Sequence, residues 1–451
     1  MIKNTQHFIV LISTFMLLPI SVKADETNSS TINYGSLSGM ARFYYIFTPS
    51  YVKSGREDDY KVDGSAIGGH VKYTSPQFEN FGVSSALYYV RDTKLNDTND
   101  PNTMVSAGRF FTKDYSDKAV LGELNLFYKE KDHQLIAGRQ RIDSPLTSAI
   151  ITFMPNMFEA LYYTNSQFDN VEFSLLHIDK MAYGTRAPVE FGLIGETTKT
   201  AGATQSALEI RGEFLPIEQQ VLANTSAHTR GVSGFSLTNN SLKNTTIRVW
   251  DFYAYDIINM LYIDSMYKKS DGFLPYSIGA QYLNVRSVGD NLASSWLDAS
   301  SATMVGLKFA FDYENISAYI AYNHSGNAKV LNPFGGDPAY TSSYFSRNGY
   351  RANVDAYKIG VDLKINNVLK IIASHADYGK STTIGTFSPS QPLQAAALPQ
   401  GNARESALLF SYNPMKQLNI LTGPIYKTSE YYYASKQVRL LDLDLVITYR
   451  F

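Results

Sequence analysis

Cysteine is absent from the 451 residues of this sequence, so no disulfide bond can stabilise the fold. Tryptophan is scarce as well, with 2 residues against 33 tyrosines and 25 phenylalanines. Neither sign of charge is in excess, because 40 Lys and Arg residues are balanced by 41 Asp and Glu residues. A nucleic-acid-binding protein normally carries a clear basic excess. The composition therefore argues against a nucleic-acid partner.

Long apolar runs are missing beyond the first 24 residues. No later stretch approaches the roughly 20 apolar residues that a membrane-spanning helix needs. In lipid, only helices and closed barrels satisfy every backbone hydrogen-bonding group. If the chain enters a membrane, it must therefore do so as a closed β-barrel.

The first 24 residues have the anatomy of a secretory signal peptide. Lys3 precedes an apolar run over residues 8–20, and Val22-Lys23-Ala24 forms a small-residue cleavage site. The run is shorter than a spanning helix requires; a retained N-terminal anchor is the alternative. We predict a signal peptide over 1–24, cleavage after Ala24, and export of the mature chain 25–451 as one barrel domain.

Alternation of side chains is clearest in the segment "LDLDLVITYRF" at residues 441–451. Successive side chains of a strand point to opposite faces. One face carries Leu441, Leu443, Leu445, Ile447, Tyr449 and Phe451. The other face carries Asp442, Asp444, Val446, Thr448 and Arg450. The pattern predicts a strand and leaves open whether its apolar face meets a protein core or lipid.

The same alternation recurs in 41–47, 67–74, 302–314 and 353–365, where the polar face also carries charged residues. Buried charges are costly in a soluble core, whereas an apolar outer face and a polar inner face are typical of a membrane barrel around water. We therefore predict that the charged residues of the polar faces line the lumen. These residues are Arg42, Lys72, Lys129, Lys308, Lys358, Lys364, Arg450, Glu123, Asp312, Asp362, Asp442 and Asp444.

Breaks between the predicted strands alternate in length. Short breaks lie at 129–134, 166–171, 312–317 and 364–369. Longer polar stretches lie at 48–63, 93–117, 143–156, 183–243, 326–352 and 379–403. This alternation is typical of barrels with short periplasmic turns and long extracellular loops.

Seventeen strands can be assigned from these breaks, and single-chain bacterial barrels have an even number. We place the missing strand in 183–243, near 206–215. The prediction is thus an all-β transmembrane antiparallel barrel of about 18 strands, with about 16 as the alternative. At either size, such a barrel leaves an aqueous channel.

Four segments occur in a fixed order: "GSLSGMARFYYIF" (35–47), "AGRQRIDSPL" (137–146), "MPNMFEALYY" (154–163) and "NPFGGDPAYTSSYF" (332–345). Through them the chain resembles the OprD-type outer-membrane porins, in particular the versions of epsilon-class bacteria. The resemblance implies an 18-stranded channel in the outer membrane of a Gram-negative bacterium. It also implies inward-folded loops and a basic ladder that guides small carboxylated solutes. An aromatic terminus such as Tyr449 and Phe451 is, by the same resemblance, an assembly signal for the outer-membrane assembly machinery.

Motifs of catalysis and of metal binding are missing from the sequence. It contains no phosphate-binding loop with Lys and Ser or Thr, no His-Glu-x-x-His and no nucleophile elbow. The seven histidines are never at ligand spacing. We therefore predict no catalytic residue, no metal and no cofactor, and take enzymatic activity as the less favoured reading.

The predicted loop 143–156, "DSPLTSAIITFMPN", is unusually apolar for a segment between two strands. Pro145 and Pro155 stiffen its ends, and Ile150, Ile151 and Phe153 need a place away from water. We predict that the loop folds into the barrel and narrows the pore, with its entry and exit marked by Asp143, Ser144, Pro145 and Pro155. The alternative is packing against a neighbouring protomer or an outer loop.

Arg139 and Arg141 flank the entrance to this loop and share one parity, so one face of the strand presents both. The poor alternation of 133–142 leaves open which face that is. Charges count most at a constriction, because field lines focus there. If both arginines line the lumen with Arg42, Lys72, Lys308, Asp312, Lys358 and Asp362, the channel should prefer anions or carboxylates.

Two functions follow from these patterns. The first is a passive diffusion channel for small hydrophilic, and in particular anionic or carboxylated, solutes. The second is a structural or adhesive outer-membrane barrel with a plugged lumen. In both cases the partners are the outer-membrane bilayer and the assembly machinery; a homotrimer is one possible assembly.

Overall fold

The computed structural model describes residues 34–451 except for 54–55, 58–63, 96–115, 149–151, 186–210, 223–227, 293–299, 329, 331, 345–350, 382–399 and 432–435. The predicted signal peptide lies outside the described residues. So do Ile150 and Ile151 of the predicted inner loop.

Long β-strands make up almost all of the regular structure, because side chains alternate along nearly every segment between turns. Their bounds are β1 Ser36–Lys53, β2 Gly64–Thr74, β3 Phe81–Asp92, β4 Lys118–Glu130, β5 His133–Gln140, β6 Met157–Phe168, β7 Val171–Ala182, β8 Val232–Asn239, β9 Thr245–Ala254, β10 Ile258–Lys269, β11 Tyr276–Ser287, β12 Ser301–Tyr313, β13 Ile316–Ser325, β14 Val354–Lys364, β15 Leu369–Tyr378, β16 Gln400–Met415, β17 Leu418–Tyr431 and β18 Lys436–Arg450. Two further pairings of two residues each lie at Arg56–Glu57 and Leu215–Pro216, and a short helix α1 spans Ile217–Leu222.

The sheet closes on itself as a barrel. Each strand pairs antiparallel with the next one along the chain, and β18 pairs back with β1 in a register that sets Met40 opposite Arg450. Beyond the last strand, the amide and carbonyl of Phe451 both bond to the backbone of Gly39, at 3.2 and 2.9 Å. The predicted antiparallel barrel of 18 strands is therefore confirmed. Among the described residues, no helix is long and apolar enough to span a membrane.

Short connections meet at one end of the barrel, hereafter the turn end; they are 75–80, 131–132, 169–170, 240–244, 270–275, 314–315, 365–368 and 416–417. The opposite end, the loop end, carries the described residues of the other connections: 56–57, 93–95, 116–117, 141–148, 152–156, 183–185, 211–222, 228–231, 255–257, 288–292, 300, 326–328, 330, 332–344, 351–353 and 379–381. The predicted alternation of short turns and longer loops is confirmed by this arrangement.

The missing strand lies elsewhere than predicted. It is β8, Val232–Asn239, which pairs with β7 and β9. Near 206–215 the described chain makes only the short pairing of Leu215 and Pro216 with the end of β7, and then enters α1. The sequence did not predict β8 because its alternation is weak. Gly234, Ser236 and Thr238 on the inner face are small or polar, and only Phe235 and Leu237 give the outer face an apolar character.

Apolar side chains cover the outside of the barrel, as predicted. Leu87, Leu126 and Ile320 are 54%, 50% and 58% exposed, the values expected of side chains that face lipid. Residues that pair across adjacent strands point to the same face of the sheet. By this register, all of the charged residues predicted for the lumen lie on the inner face, opposite to these apolar side chains.

The inner face is not polar everywhere, however. On β6 to β12, near the loop end, it carries a continuous apolar surface, which we call the apolar arc. Its members are Phe158, Ala160, Leu176, Ile178, Val232, Trp250, Phe252, Ala254, Ile258, Met260, Tyr262, Leu283, Val285, Ala302 and Met304. The expectation of a polar inner wall is wrong here, because loop residues Ile142, Leu146 and Phe334 cover the arc and exclude water from it.

Candidate constriction site

The described residues of the loop between β5 and β6, 141–148 and 152–156, lie inside the barrel. Near its start, Leu146 is fully buried on the apolar arc beside Phe158. Near its end, Phe153 is 1% exposed and packs against Tyr44 and Val446 of the opposite wall. Burial of these two side chains anchors the described part of the loop on both sides of the lumen; that the loop narrows the pore stays a prediction. We call this segment the first inner loop.

A local turn shapes the entry of the first inner loop. The hydroxyl of Ser144 accepts the amide hydrogen of Leu146 at 3.2 Å, and the amide of Ser148 donates to the carbonyl of Ser144 at 3.0 Å. Pro145 follows the capping serine, where a fixed φ and a missing N–H are tolerated. The sequence Asp143-Ser144-Pro145 therefore starts a single helical turn that directs the chain into the lumen.

Asn156 secures the exit of the same loop after Pro155. Its side-chain amide donates to the carbonyl of Phe334 at 2.9 Å, and its oxygen accepts from the amide of Gly184 at 2.8 Å. Three loops of the loop end are thereby joined at one asparagine.

A second inner loop, the described residues of 326–353, follows the inner wall from β11 to β16 over residues 338–344. Side chains of the wall bond to its backbone: Gln281 to Pro338 and Tyr340, Asn323 to Thr341, and Glu405 to the amide of Tyr344. Burial raises the pKa of Tyr344 to about 12. The motif "NPFGGDPAYTSSYF" thus lies in the lumen. The sequence analysis had named the stretch as part of the family resemblance and of a long loop, without placing it in the lumen.

The two inner loops touch at Gly336. Its amide donates to the carbonyl of Leu146 at 2.9 Å, and a Cβ atom at this position would lie 2.3 Å from the carbonyl oxygen of Pro145. Only glycine allows this approach, so the second glycine of "NPFGGDP" sets the distance between the loops.

Charged and polar side chains line the wall that faces the first inner loop. Arg42 is 7% exposed; it donates to the hydroxyl of Thr448 at 3.0 Å and to the carbonyl of Thr152 in the loop. Lys72 pairs with Glu123 at 2.6 Å, and the hydroxyl of Tyr88 donates to the other oxygen of Glu123 at 2.8 Å. We call the inner face of β18, β1, β2, β3 and β4 the charged arc.

Two cavities lie along the charged arc. The first, of about 650 Å³, is bordered by Arg42, Arg141 and Arg450. The second, of about 560 Å³ and nearer the turn end, is bordered by Lys72, Glu123 and Lys129. His70, Arg141 and Asp143 border both. The passage between the two cavities is therefore framed by the start of the first inner loop and one residue of β2.

Arg139 and Arg141 lie in different places despite their shared parity. Arg139 is opposite Leu124 and Glu159, on the outward face, and its guanidinium lies 4.3 Å from the ring centre of Phe214. The expectation that Arg139 lines the lumen is therefore wrong. Arg141 lies beyond the end of β5, where the chain turns inward, so the strand parity no longer applies to it.

Asp143 holds Arg141 in the lumen, with oxygens 2.6 and 2.8 Å from Nη2. Burial disfavours the charged guanidinium, but the hydrogen bonds and the charge of Asp143 outweigh it. The pKa of Arg141 is therefore raised above its ordinary value. Arg141 stays a cation at any pH in which the protein is folded.

The remaining predicted wall residues lie on the far side of the barrel. Lys358 donates to the carbonyl of Ser342 at 2.7 Å, and Asp362 pairs with Lys370 at 2.8 Å. Both border a third cavity of about 380 Å³. Lys308 lies over the ring of Tyr319 at 4.5 Å, and Asp312 accepts from Ser317 near the turn end. These residues face the lumen but do not meet the first inner loop.

Sequence reasoning missed His70 and Tyr88 as members of the site. Both were read as ordinary positions of alternating strands, and the parity of Tyr88 was the only available signal that it points inward. Among the described residues, no three His, Asp or Glu side chains converge as a metal site requires.

Comparison with protein-family models gives no match for this sequence, and comparison with curated proteins gives none either. Solved structures do share the fold. OccK9 (OpdG) of Pseudomonas aeruginosa is similar with a TM-score of 0.68 at 13% identity, over 92% of this chain and 98% of the other. OpdK of the same species with vanillate is similar with a TM-score of 0.64 at 12% identity, over 92% and 98%. OccK2 (OpdF) with glucuronate, also from that species, has a TM-score of 0.64 at 10% identity, over 92% and 95%. The chain therefore has the barrel fold of these proteins.

Proposed function

We propose that this protein is an outer-membrane channel for passive diffusion of small hydrophilic solutes, with a preference for anionic or carboxylated ones. One observation carries the proposal. Arg42, Arg141 and Arg450 border the cavity beside the first inner loop, and Asp143 is the one acidic side chain among its lining residues in the described structure. The passage thus carries an excess of positive charge.

Arg42 contributes most to that excess. Within the described part of the chain no carboxylate pairs with it; its partners are a hydroxyl and a carbonyl. A buried cation without a counterion attracts anions strongly, because little water screens it. A solute carboxylate that passes the first inner loop would supply the missing negative charge.

Barrels of the same fold support this substrate class. OpdK has been solved with vanillate and OccK2 with glucuronate. Both ligands are small carboxylates. At 10–12% identity these complexes support a class of solute and not a particular one.

The outer membrane of a Gram-negative bacterium is the location that we propose. It agrees with the predicted signal peptide over 1–24 and with the apolar outer face of the strands. The partners are then the lipid bilayer, the assembly machinery, which would read Tyr449 and Phe451, and small solutes. A homotrimer is one possible assembly, and no catalytic activity is part of the proposal.

Planar-bilayer recording of the mature chain tests the proposal. We expect single-channel conductance and, in a salt gradient, a reversal potential that indicates preference for anions. Arg141→Glu should move the reversal potential toward cations, whereas Arg139→Glu, on the outer face, should leave it unchanged. Equal shifts from both variants would contradict the position of the selectivity site.

The inner loops also support the second function, a structural or adhesive barrel whose lumen is plugged. If they fill the lumen, the folded protein inserts into the bilayer and passes no current. That result would overturn the channel and favour a structural or adhesive role for the loop end.

A further inference from the structure

His70 occupies a special position in the lumen. It lies on the inner face of β2 and borders both cavities of the charged arc, a property that it shares only with Arg141 and Asp143 among the described lining residues. Every solute that moves from one cavity to the other therefore passes its imidazole ring.

The surroundings of His70 hold the ring in place without using its Nδ1 atom. The ring stacks on Tyr88 with a centroid distance of 4.8 Å and an interplanar angle of 29°. Tyr88 is itself fixed by its hydrogen bond to Glu123. The Nδ1 atom of His70 is buried and forms no hydrogen bond with any residue that the structure describes.

Charged groups face His70 from each neighbouring element. Lys72 lies on its own strand, Arg42 on β1, and Glu123 on β4. Arg141 and Asp143 of the first inner loop lie on the other side of the passage. Lys72 is paired with Glu123 and Arg141 with Asp143, so the charge that His70 would add is not matched by an unused carboxylate among them.

We propose that His70 is a specificity-determining residue that makes the anion preference of the channel depend on pH. The inference rests on the proposed function. Protonation of the imidazole adds one positive charge to the passage, and that charge attracts a solute carboxylate in the two cavities that His70 borders. Acidic solutes should thus pass best at mildly acidic pH.

Histidine is the group of this cluster that is suited to such a role. An ordinary imidazole titrates near pH 6.5, ordinary carboxylates near pH 4, and Lys and Arg above pH 10. Histidine is therefore the side-chain type of this cluster whose charge ordinarily changes at mildly acidic pH, and His70 is the histidine of the cluster.

Reversal potentials in a KCl gradient, measured from pH 8 to pH 5, test the proposal. A unit charge about 4 Å from a passing ion in water changes its local concentration about fivefold. We expect the permeability ratio of chloride to potassium to rise by up to about that factor in the unmodified protein. His70→Gln should keep the value of the neutral state throughout.

His375→Gln is the matched control, because His375 lies on the outward face of β15 and bonds to Ser406 at 2.8 Å. It should retain the full pH dependence. Should His70→Gln fold poorly, His70→Asn provides a second neutral replacement. A pH dependence that survives in the folded His70 variant, or that is missing from the unmodified protein, would overturn the role of His70. An anion-selective but pH-independent channel would leave the proposed function intact, whereas a protein without conductance would refute the function itself.

Discussion

The apolar arc and the charged arc are two parts of the same inner wall, built from strands with the same alternation, yet they have opposite chemistry. Near the loop end, β6 to β12 point Phe158, Phe252 and Met260 inward. Across the lumen, β1, β2 and β4 point Arg42, Lys72 and Glu123 inward. The arcs differ in what covers them. Loop residues exclude water from the apolar arc, whereas the charged arc borders cavities.

The difference explains how an asymmetric passage is made from a regular barrel. The apolar arc anchors the first and second inner loops, since their buried side chains gain about 25 cal/mol for each Å² removed from water. The first inner loop also reaches the charged arc, where Phe153 is buried with Tyr44 and Val446, and the first cavity lies beside that contact. The apolar arc therefore contributes stability to the loops, and the charged arc is the part of the wall for which we propose a role in selectivity.

The largest expected effect comes from a carboxylate placed in the apolar arc. Met260→Asp would bury an unpaired charge at a position that is fully shielded from solvent, which costs several kcal/mol. Ile136→Asp makes the same kind of change on the inner face of β5, beside the second cavity. We expect Met260→Asp alone to lower the urea midpoint of the heat-modifiable folded form strongly. Equal urea midpoints for Met260→Asp and Ile136→Asp would mean that water reaches the apolar arc.

A charge on the outer face should cost somewhat less. Phe309→Arg sets a cation against hydrocarbon, at roughly 2–4 kcal/mol near the midplane of the bilayer. Ala310→Arg, one residue further on β12, points into the lumen between Lys308 and Asp312 and should be tolerated. Folding yields into lipid vesicles compare the two. A comparable loss for both would show that the register of β12 is wrong.

Contact between the inner loops can be altered without touching either arc. Gly336→Ala would force its new methyl against the backbone of Pro145 and Leu146, so the loops must separate. Gly379→Ala, whose nearest neighbour would lie at an ordinary 3.4 Å, is the control. We expect a changed single-channel conductance for Gly336→Ala with the barrel still folded. Identical conductance in both variants would show that the contact between the inner loops does not affect the conductance of the pore.

The smallest effect is expected at the seam between β1 and β18, within the charged arc. Phe451 closes this seam by two backbone hydrogen bonds to Gly39, and its ring stacks on Tyr449 with a centroid distance of 6.3 Å. Deletion of Phe451 should lower the fraction of heat-modifiable folded protein in outer membranes, whereas Phe451→Tyr should keep it. Unchanged levels after the deletion would refute an assembly role.

Much of the barrel could be predicted from the sequence because alternation is a local property. The strand at 441–451 and the inner positions of Lys308, Lys358 and Asp362 follow from parity alone. β8 could not be found in this way, since its inner face is small and polar and the apolar signal is reduced to two residues. Parity also failed for Arg139 and Arg141, because the strand ends between them at Gln140.

The sequence by itself thus determined the class of fold, the alternation of turns and loops, and the side of the strand for wall residues in clearly alternating segments, such as Lys308, Lys358 and Asp362. The tertiary structure alone decided which inner residues meet water. That choice depends on contacts such as Gly336 with Leu146 and Phe334 with Phe252, which join segments far apart in the chain. A period of two reports the direction of a side chain, but it carries no information about the loop that arrives to cover it.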